Sequence, residues 1–177
     1  MSDLTGMKIG MLIEDEYEIL EAWYPKLRLE EAGATVVVIG SGKKDQYGSK
    51  EHYPMPADAA VEAVNAADLD GIIVPGGYAP DHMRLHPEMI QLVRDVHAAE
   101  KLVASICHGG WILASADVLR NGRTVTAYGP IKDDLVNAGG NFVDKEVAVD
   151  GHVVTSRTPA DLVPFMKAIL AQLESQK

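Results

Sequence analysis

Leu102-Val103-Ala104-Ser105-Ile106 reads as a buried strand, Cys107-His108-Gly109-Gly110 as a sharp turn, and Trp111-Ile112-Leu113-Ala114-Ser115-Ala116 as a helical stretch. The same strand, turn and helix grammar recurs on both sides. Upstream, Gly71-Ile72-Ile73-Val74 is a short apolar run halted by Pro75-Gly76-Gly77, and His86-Pro87-Glu88 opens a helix running to about Glu100. Earlier still, Lys8 to Ile13 predicts a strand, about Ala22 to Ala32 a helix stopped by Gly33, and Thr35 to Ile39 a nearly continuous apolar strand. Gly40 to Pro56 turns polar, as a loop or small hairpin. Downstream, Thr124 to Ala127 predicts a strand and Lys132 to Ala138 a short helix. Val147 to Val149 and His152 to Thr155 form a hairpin across Asp150-Gly151, and Pro159 to about Glu174 forms a closing helix. Alternating elements with short connections predict one α/β domain over residues 1–177, with a mostly parallel sheet between helices and ligands bound beyond the strands' carboxyl ends.

The bulk properties narrow the partners. At 177 residues, 47% hydrophobic and 24% charged, the chain has the composition of one self-sufficient domain. A formal charge of -10 repels phosphate backbones, so no nucleic acid is expected. No apolar run reaches the roughly 20 residues of a membrane span, and Met1 to Gly6 lacks a basic segment leading into an apolar one; a cytoplasmic location is the expectation. A lone cysteine forms no internal disulfide, which agrees with a reducing compartment.

Cys107 therefore has either a packing role or a chemical one. A core cysteine needs no His-Gly-Gly after it, and each glycine at a helical position costs about 1 kcal/mol relative to Ala. Ser105-Ile106-Cys107-His108-Gly109 follows the small-x-nucleophile-x-small pattern of a nucleophile elbow, with Ser105 in the place of the usual first Gly. A helix start behind the sulfur is expected to favour thiolate and lower the pKa.

Several segments resemble the ThiJ/PfpI superfamily, nearest its PfpI-like cysteine hydrolases: Val74-Pro75-Gly76-Gly77, Ala104-Ser105-Ile106-Cys107-His108-Gly109, Ile131-Lys132-Asp133-Asp134 and Ser156-Arg157-Thr158-Pro159-Ala160-Asp161-Leu162. The resemblance implies a flavodoxin-like three-layer sandwich related to class I glutamine amidotransferases, built as a homodimer with hexamers in some members. It also implies that Glu21 is the carboxyl partner of Cys107. Two adjacent acids cannot both ionise cheaply, so Glu21 should be protonated and act as general acid or base. Glu18 matches a second acidic position, though an exposed charge would look the same. His108 matches the family histidine, oriented in the PfpI branch by an acidic residue of a neighbouring subunit; the matching position is Asp81, shorter than the usual Glu. Gly77, with the His108 N–H, matches the oxyanion donors, and Tyr128 a tyrosine at the pocket mouth; a tight turn and simple packing are their plainer readings. Gly110 stands where the family commonly has Pro.

Other chemistries lack their signatures. His82 and His86 are spaced for a metal only on an unbroken helix, which Pro80 and Pro87 argue against. No His-x-Glu completes a glutaminase triad, and no phosphate-binding glycine motif implies a nucleotide cofactor. The resemblance leads to a cofactor-independent cysteine enzyme acting on a small carbonyl or a glycated protein in stress protection: glyoxalase III or deglycase. A Cys107-His108-Asp81 peptidase is the alternative; a redox sensor or holdase chaperone is the noncatalytic one.

Overall fold

The computed structural model describes residues 3–177. In chain order its first elements are β1 (Lys8–Leu12), α1 (Ile19–Glu31), β2 (Thr35–Gly40), β3 (Gln46–Gly48), β4 (Pro54–Pro56), β5 (Ala59–Ala60) and β6 (Gly71–Val74). There follow α2 (Ala79–Met83), α3 (Pro87–Ala98), β7 (Leu102–Ile106), α4 (Gly110–Ser115) and β8 (Thr124–Val125). The chain closes with α5 (Lys132–Asn137), β9 (Asn141–Phe142), β10 (Val147–Asp150), β11 (Val153–Ser156) and α6 (Leu162–Glu174).

Seven strands form the central sheet in the order β10-β11-β7-β6-β1-β2-β5, and only β10 runs antiparallel to its neighbour. β6 and β7 are buried at every position because helices cover both faces, which is why their sequences are continuous apolar runs. α1 and α6 pack together on one face; α3 and α4 lie on the other, with α2 and α5 against α4. This is the three-layer α/β sandwich expected. Strand order reverses at β1, whose neighbours are β2 and β6, so a crevice opens at the carboxyl ends of these strands.

The departures are local. α1 begins at Ile19, ahead of the apolar pattern, because Glu18 caps it: its Oε2 accepts the Glu21 N–H at 2.9 Å. Pro25 sits inside that helix and offers no N–H to the Glu21 carbonyl. The polar Gly40 to Pro56 stretch is a hairpin of β3 and β4. Thr124 and Val125 pair in parallel with Asn141 and Phe142 in a separate two-stranded sheet rather than joining the central one. Pro80 lies in the first turn of α2, where a missing N–H costs nothing, so it starts a helix where the sequence suggested an interruption. His82 lies in that helix and pairs with Glu16 at 3.1 Å, while His86 precedes α3 and faces Glu14 at 3.8 Å.

Candidate active site

Three strand ends converge. Leaving β7, the chain makes a tight 3-10 turn over Cys107–Gly109 before α4, and Cys107 takes φ +59°, a conformation that L residues rarely adopt. The turn closes only because residue 109 is glycine: a Cβ there would sit 2.5 Å from the Val74 carbonyl oxygen. Leaving β6, Gly77 adopts φ +78°, and a Cβ on it would meet the Glu16 carbonyl oxygen at 2.4 Å. A Cβ on Gly76 would meet Glu21 Oε2 at 2.6 Å and Cys107 Cβ at 2.7 Å. The two glycines thus let the β6 loop wedge between β1 and Cys107. Leaving β1, Tyr17 bridges to Gly77 on one side and Ser49 on the other, and Glu21 on the first turn of α1 points inward, fully buried.

These segments wall a cavity of about 270 Å³ lined by Cys107, His108, Glu21, Glu18, Gly77 and Tyr128, with Lys50, Tyr78, Thr158 and Pro159 completing it. A groove of about 660 Å³ between Val61–Ala66 and α3 is larger, but it carries carboxylates without a nucleophile. Six of the seven sequence-derived site residues therefore share one small cavity. The seventh, Asp81, is exposed on α2 and lines a separate cavity with Arg84, Trp111 and Asp134. Trp111 lines that second cavity and sets its ring 5.0 Å from the His108 ring. Within one chain, Asp81 does not line the Cys107 cavity.

The electrostatics correct one expectation. Burial, and then the Glu21 charge, push the Cys107 thiol up to about 12; the N–H groups of His108 and Gly77 aimed at the sulfur pull it down by less. Burial outweighs the helix start, so the resting group is a thiol rather than a standing thiolate. Glu21 is raised to about 8, first by burial and then by Glu18, against the Gly76 N–H, which donates to its Oε2 at 2.8 Å. It is therefore protonated at neutral pH, as expected, but through burial and Glu18 rather than through Cys107, which pulls the other way. Its Oε1 is buried with no partner of ordinary hydrogen-bond geometry, although Glu21 and Cys107 shift each other's titration. His108 Nδ1 lies 3.4 Å from the Cys107 sulfur; burial, then the Lys50 charge, lower its pKa and keep the ring neutral, able to accept a proton. The Tyr128 ring packs 5.0 Å from the same imidazole.

Lys50, Thr158 and Pro159 were not singled out in the sequence. Lys50 arrives from the turn of the β3–β4 hairpin, where its N–H donates to the Tyr17 carbonyl at 3.1 Å; no local motif marks it, because its role comes from hairpin docking. Thr158 and Pro159 belong to the Ser156–Leu162 segment already quoted, which the β11–α6 connection carries to the cavity.

The DJ-1/PfpI family profile matches residues 7–172. The chain belongs to the DJ-1/PfpI family. It is 42% identical over 168 residues to a deglycase of Pyrococcus abyssi, covering 95% of this chain and 100% of that one. To the Bacillus subtilis protein YraA, named for a cysteine protease, it is 36% identical over 167 residues, 94% and 98% of the two chains. A crystal structure of a two-domain Anabaena variabilis protein, with DJ-1/ThiJ/PfpI-like and ferritin-like domains, superposes with a TM-score of 0.91 at 38% identity over 94% of this chain. The chain spans about half of that protein, 48%. No described helix is long and apolar enough to cross a membrane.

Proposed function

We propose that this family member is a cofactor-independent cysteine enzyme that works on 2-oxoaldehydes and their amine adducts, in the manner of a glutathione-independent glyoxalase or a deglycase, and so protects against reactive carbonyls. The observation that carries the reading is a protonated, buried Glu21 whose Oε1 lacks another partner, set beside Cys107 in a cavity sized for a small carbonyl. Peptide hydrolysis would also use such an acid, to protonate the leaving amine; the small size of the cavity is what favours a small carbonyl.

In this reading the Cys107 sulfur bonds to the aldehyde carbon of methylglyoxal while its proton passes through His108 to the aldehyde oxygen, giving a hemithioacetal. Neutral His108 then takes the proton from C1 and delivers it to C2, while protonated Glu21 donates a hydrogen bond to the C2 oxygen. C1 rises to the acid level as C2 falls to an alcohol, so no external oxidant is consumed. The N–H groups of Gly77 and His108 stabilise the enediolate oxygen. Water cleaves the resulting thioester to lactate and returns a proton to sulfur. An amine adduct enters at the same carbon: the C–S bond forms, the C–N bond breaks, and the amine leaves with the thiol proton.

The deglycase name of the Pyrococcus relative supports this substrate class. The YraA name supports the second reading, peptide hydrolysis by Cys107 and His108, which needs Asp81 of a second copy to orient the imidazole. A homodimer placing Asp81 near the partner's Trp111 face is part of our proposal under either chemistry, as is a cytoplasmic location. Lactate formation from methylglyoxal without glutathione, compared among the parent, Cys107→Ala and Glu21→Gln, tests the lead. Near-complete loss in the first and a strong loss in the second are expected; equal rates in all three overturn it.

A further inference from the structure

The catalytic cavity does not end at Tyr128 and Thr158. Both residues also line an adjoining cavity of about 510 Å³, nearly twice as large, whose remaining walls include Pro130, Lys132, Phe142, Asp144 and Arg157. Free methylglyoxal has no use for this space, since four residues it would touch, Cys107, His108, Glu21 and Gly77, all line the smaller cavity. An amine adduct does: its carbonyl-derived carbons belong at the sulfur, and its carrier must extend past the cavity mouth.

The chemistry of the second cavity is specific. Phe142 and Tyr128 supply apolar, aromatic surface, and Lys132 holds its ammonium 5.9 Å from the Phe142 ring centroid. Among the described residues, Lys132 makes no ion pair with a carboxylate within 4.0 Å. Arg157 is committed: one cation shared between Asp161 at 2.9 Å and Asp144 at 2.7 Å, which fixes its plane and occupies Asp144, the carboxylate on the wall. On this wall Lys132 is therefore the cation without a carboxylate partner.

Building on the deglycase reading, we infer that this second cavity is the carrier subsite, and that it selects adducts whose carrier bears an anionic group, carboxylate or phosphate, held by Lys132 with the carrier's apolar part against Phe142 and Tyr128. A single charge-assisted contact at a partly solvated wall corresponds to about a fivefold preference.

Matched adducts of methylglyoxal test it: that of Nα-acetylarginine against that of Nα-acetylarginine amide, and that of guanosine 5′-monophosphate against that of guanosine. Calorimetric binding to the inactive Cys107→Ala protein reads the subsite without requiring turnover, and carrier release by the parent reads the reaction. We expect the charged member of a pair to bind about fivefold tighter, Lys132→Met to abolish that ratio, and Lys132→Arg to keep it. In the active background, Lys132→Met should raise KM for the charged adduct while turnover of free methylglyoxal stays within about twofold. The pair that shows the ratio identifies the anion. Absence of a Lys132-dependent ratio in both pairs overturns the subsite, as does an equal loss on free methylglyoxal. Lys132-dependent binding without turnover of any adduct or of methylglyoxal would keep the subsite and overturn the reaction.

Discussion

Two close pairs of titratable side chains sit at opposite ends of the same sheet. At the carboxyl ends are Glu21 and Cys107. At the amino ends are His97, on the last turn of α3 ahead of β7, and His152, in the turn ahead of β11, with His152 Nε2 2.7 Å from His97 Nδ1. Burial is the first cause of every shift in both pairs. The difference is satisfaction. Two neutral imidazoles donate and accept between themselves, and their neighbour Arg123 is anchored on Asp150. Glu21 leaves an oxygen unpartnered, and Cys107 has a strained backbone angle beside a cavity. A completed hydrogen bond marks a structural couple; an incomplete one facing open volume marks a reactive couple.

The largest expected break in the comparison comes from Cys107→Ala. Turnover of methylglyoxal or its adducts should fall by about 10⁴-fold, as for other nucleophile removals, while stability stays within about 1 kcal/mol because a small apolar side chain replaces another at the same φ. Product release alongside urea unfolding checks both. A large loss of stability would show Cys107 to be a core residue first.

Glu21→Gln comes next and separates cost from function. The folded pKa of Glu21, about 8, lies above its ordinary value of 4.5. The folded state therefore holds a proton that the unfolded state releases, and the stability this group contributes is full below 4.5 and lost as pH rises through about 8. The neutral amide removes that dependence, so the variant should be more stable than the parent at pH 8.5, by up to about 4 kcal/mol, yet much less active. In the parent, activity that needs the proton should fall as pH passes 8. An unchanged pH slope of stability in Glu21→Gln would assign the dependence elsewhere.

Gly77→Ala asks whether the reactive end depends on its backbone. A Cβ at φ +78° and 2.4 Å from the Glu16 carbonyl oxygen must displace the β6 loop. Destabilisation of about 2–3 kcal/mol is expected, with a loss of turnover exceeding the unfolded fraction because the N–H beside the sulfur moves. Full activity per folded molecule would remove Gly77 from the oxyanion site.

How far the sequence reached follows from the same physics. The inner strands β6 and β7 were legible because burial on both faces makes them continuous apolar runs, β10 and β11 because of the Asp150-Gly151 turn, while the two-residue edge strand β5 left no signal; Cys107 was legible because Gly109 records a backbone approach that no side chain tolerates. Glu21 and Asp81 carry no local signal and entered through resemblance alone. The sign of the Cys107 shift was misread because a helix start is visible in a chain while burial is a property of the assembled layers. Lys50, and the cavity around Lys132, depend on which loops the sheet brings together, and pairing of distant loops leaves no spacing to read.

The smallest effect is expected at the satisfied pair, which makes it the sharpest control. His152→Asn loses the imidazole bond to His97 and should cost about 1 kcal/mol at neutral pH, with activity unchanged because the pair is remote from Cys107. Acid behaviour carries the sign. Burial first, then mutual and Arg123 charge at His97, and burial then Arg123 at His152, lower both folded pKa values below the ordinary 6.5. The unfolded chain then binds more protons than the folded one, so the parent is stabilised above the ordinary histidine range and loses that stability as pH falls through it. In His152→Asn only His97 of this pair remains to be protonated, without a neighbouring imidazole, and the slope of stability between pH 7 and 5 should flatten to what His97 and His108 leave. Urea midpoints across that window read it. A slope as steep as the parent's, or a loss of turnover, would mean that this end of the sheet is not the inert counterpart of the other.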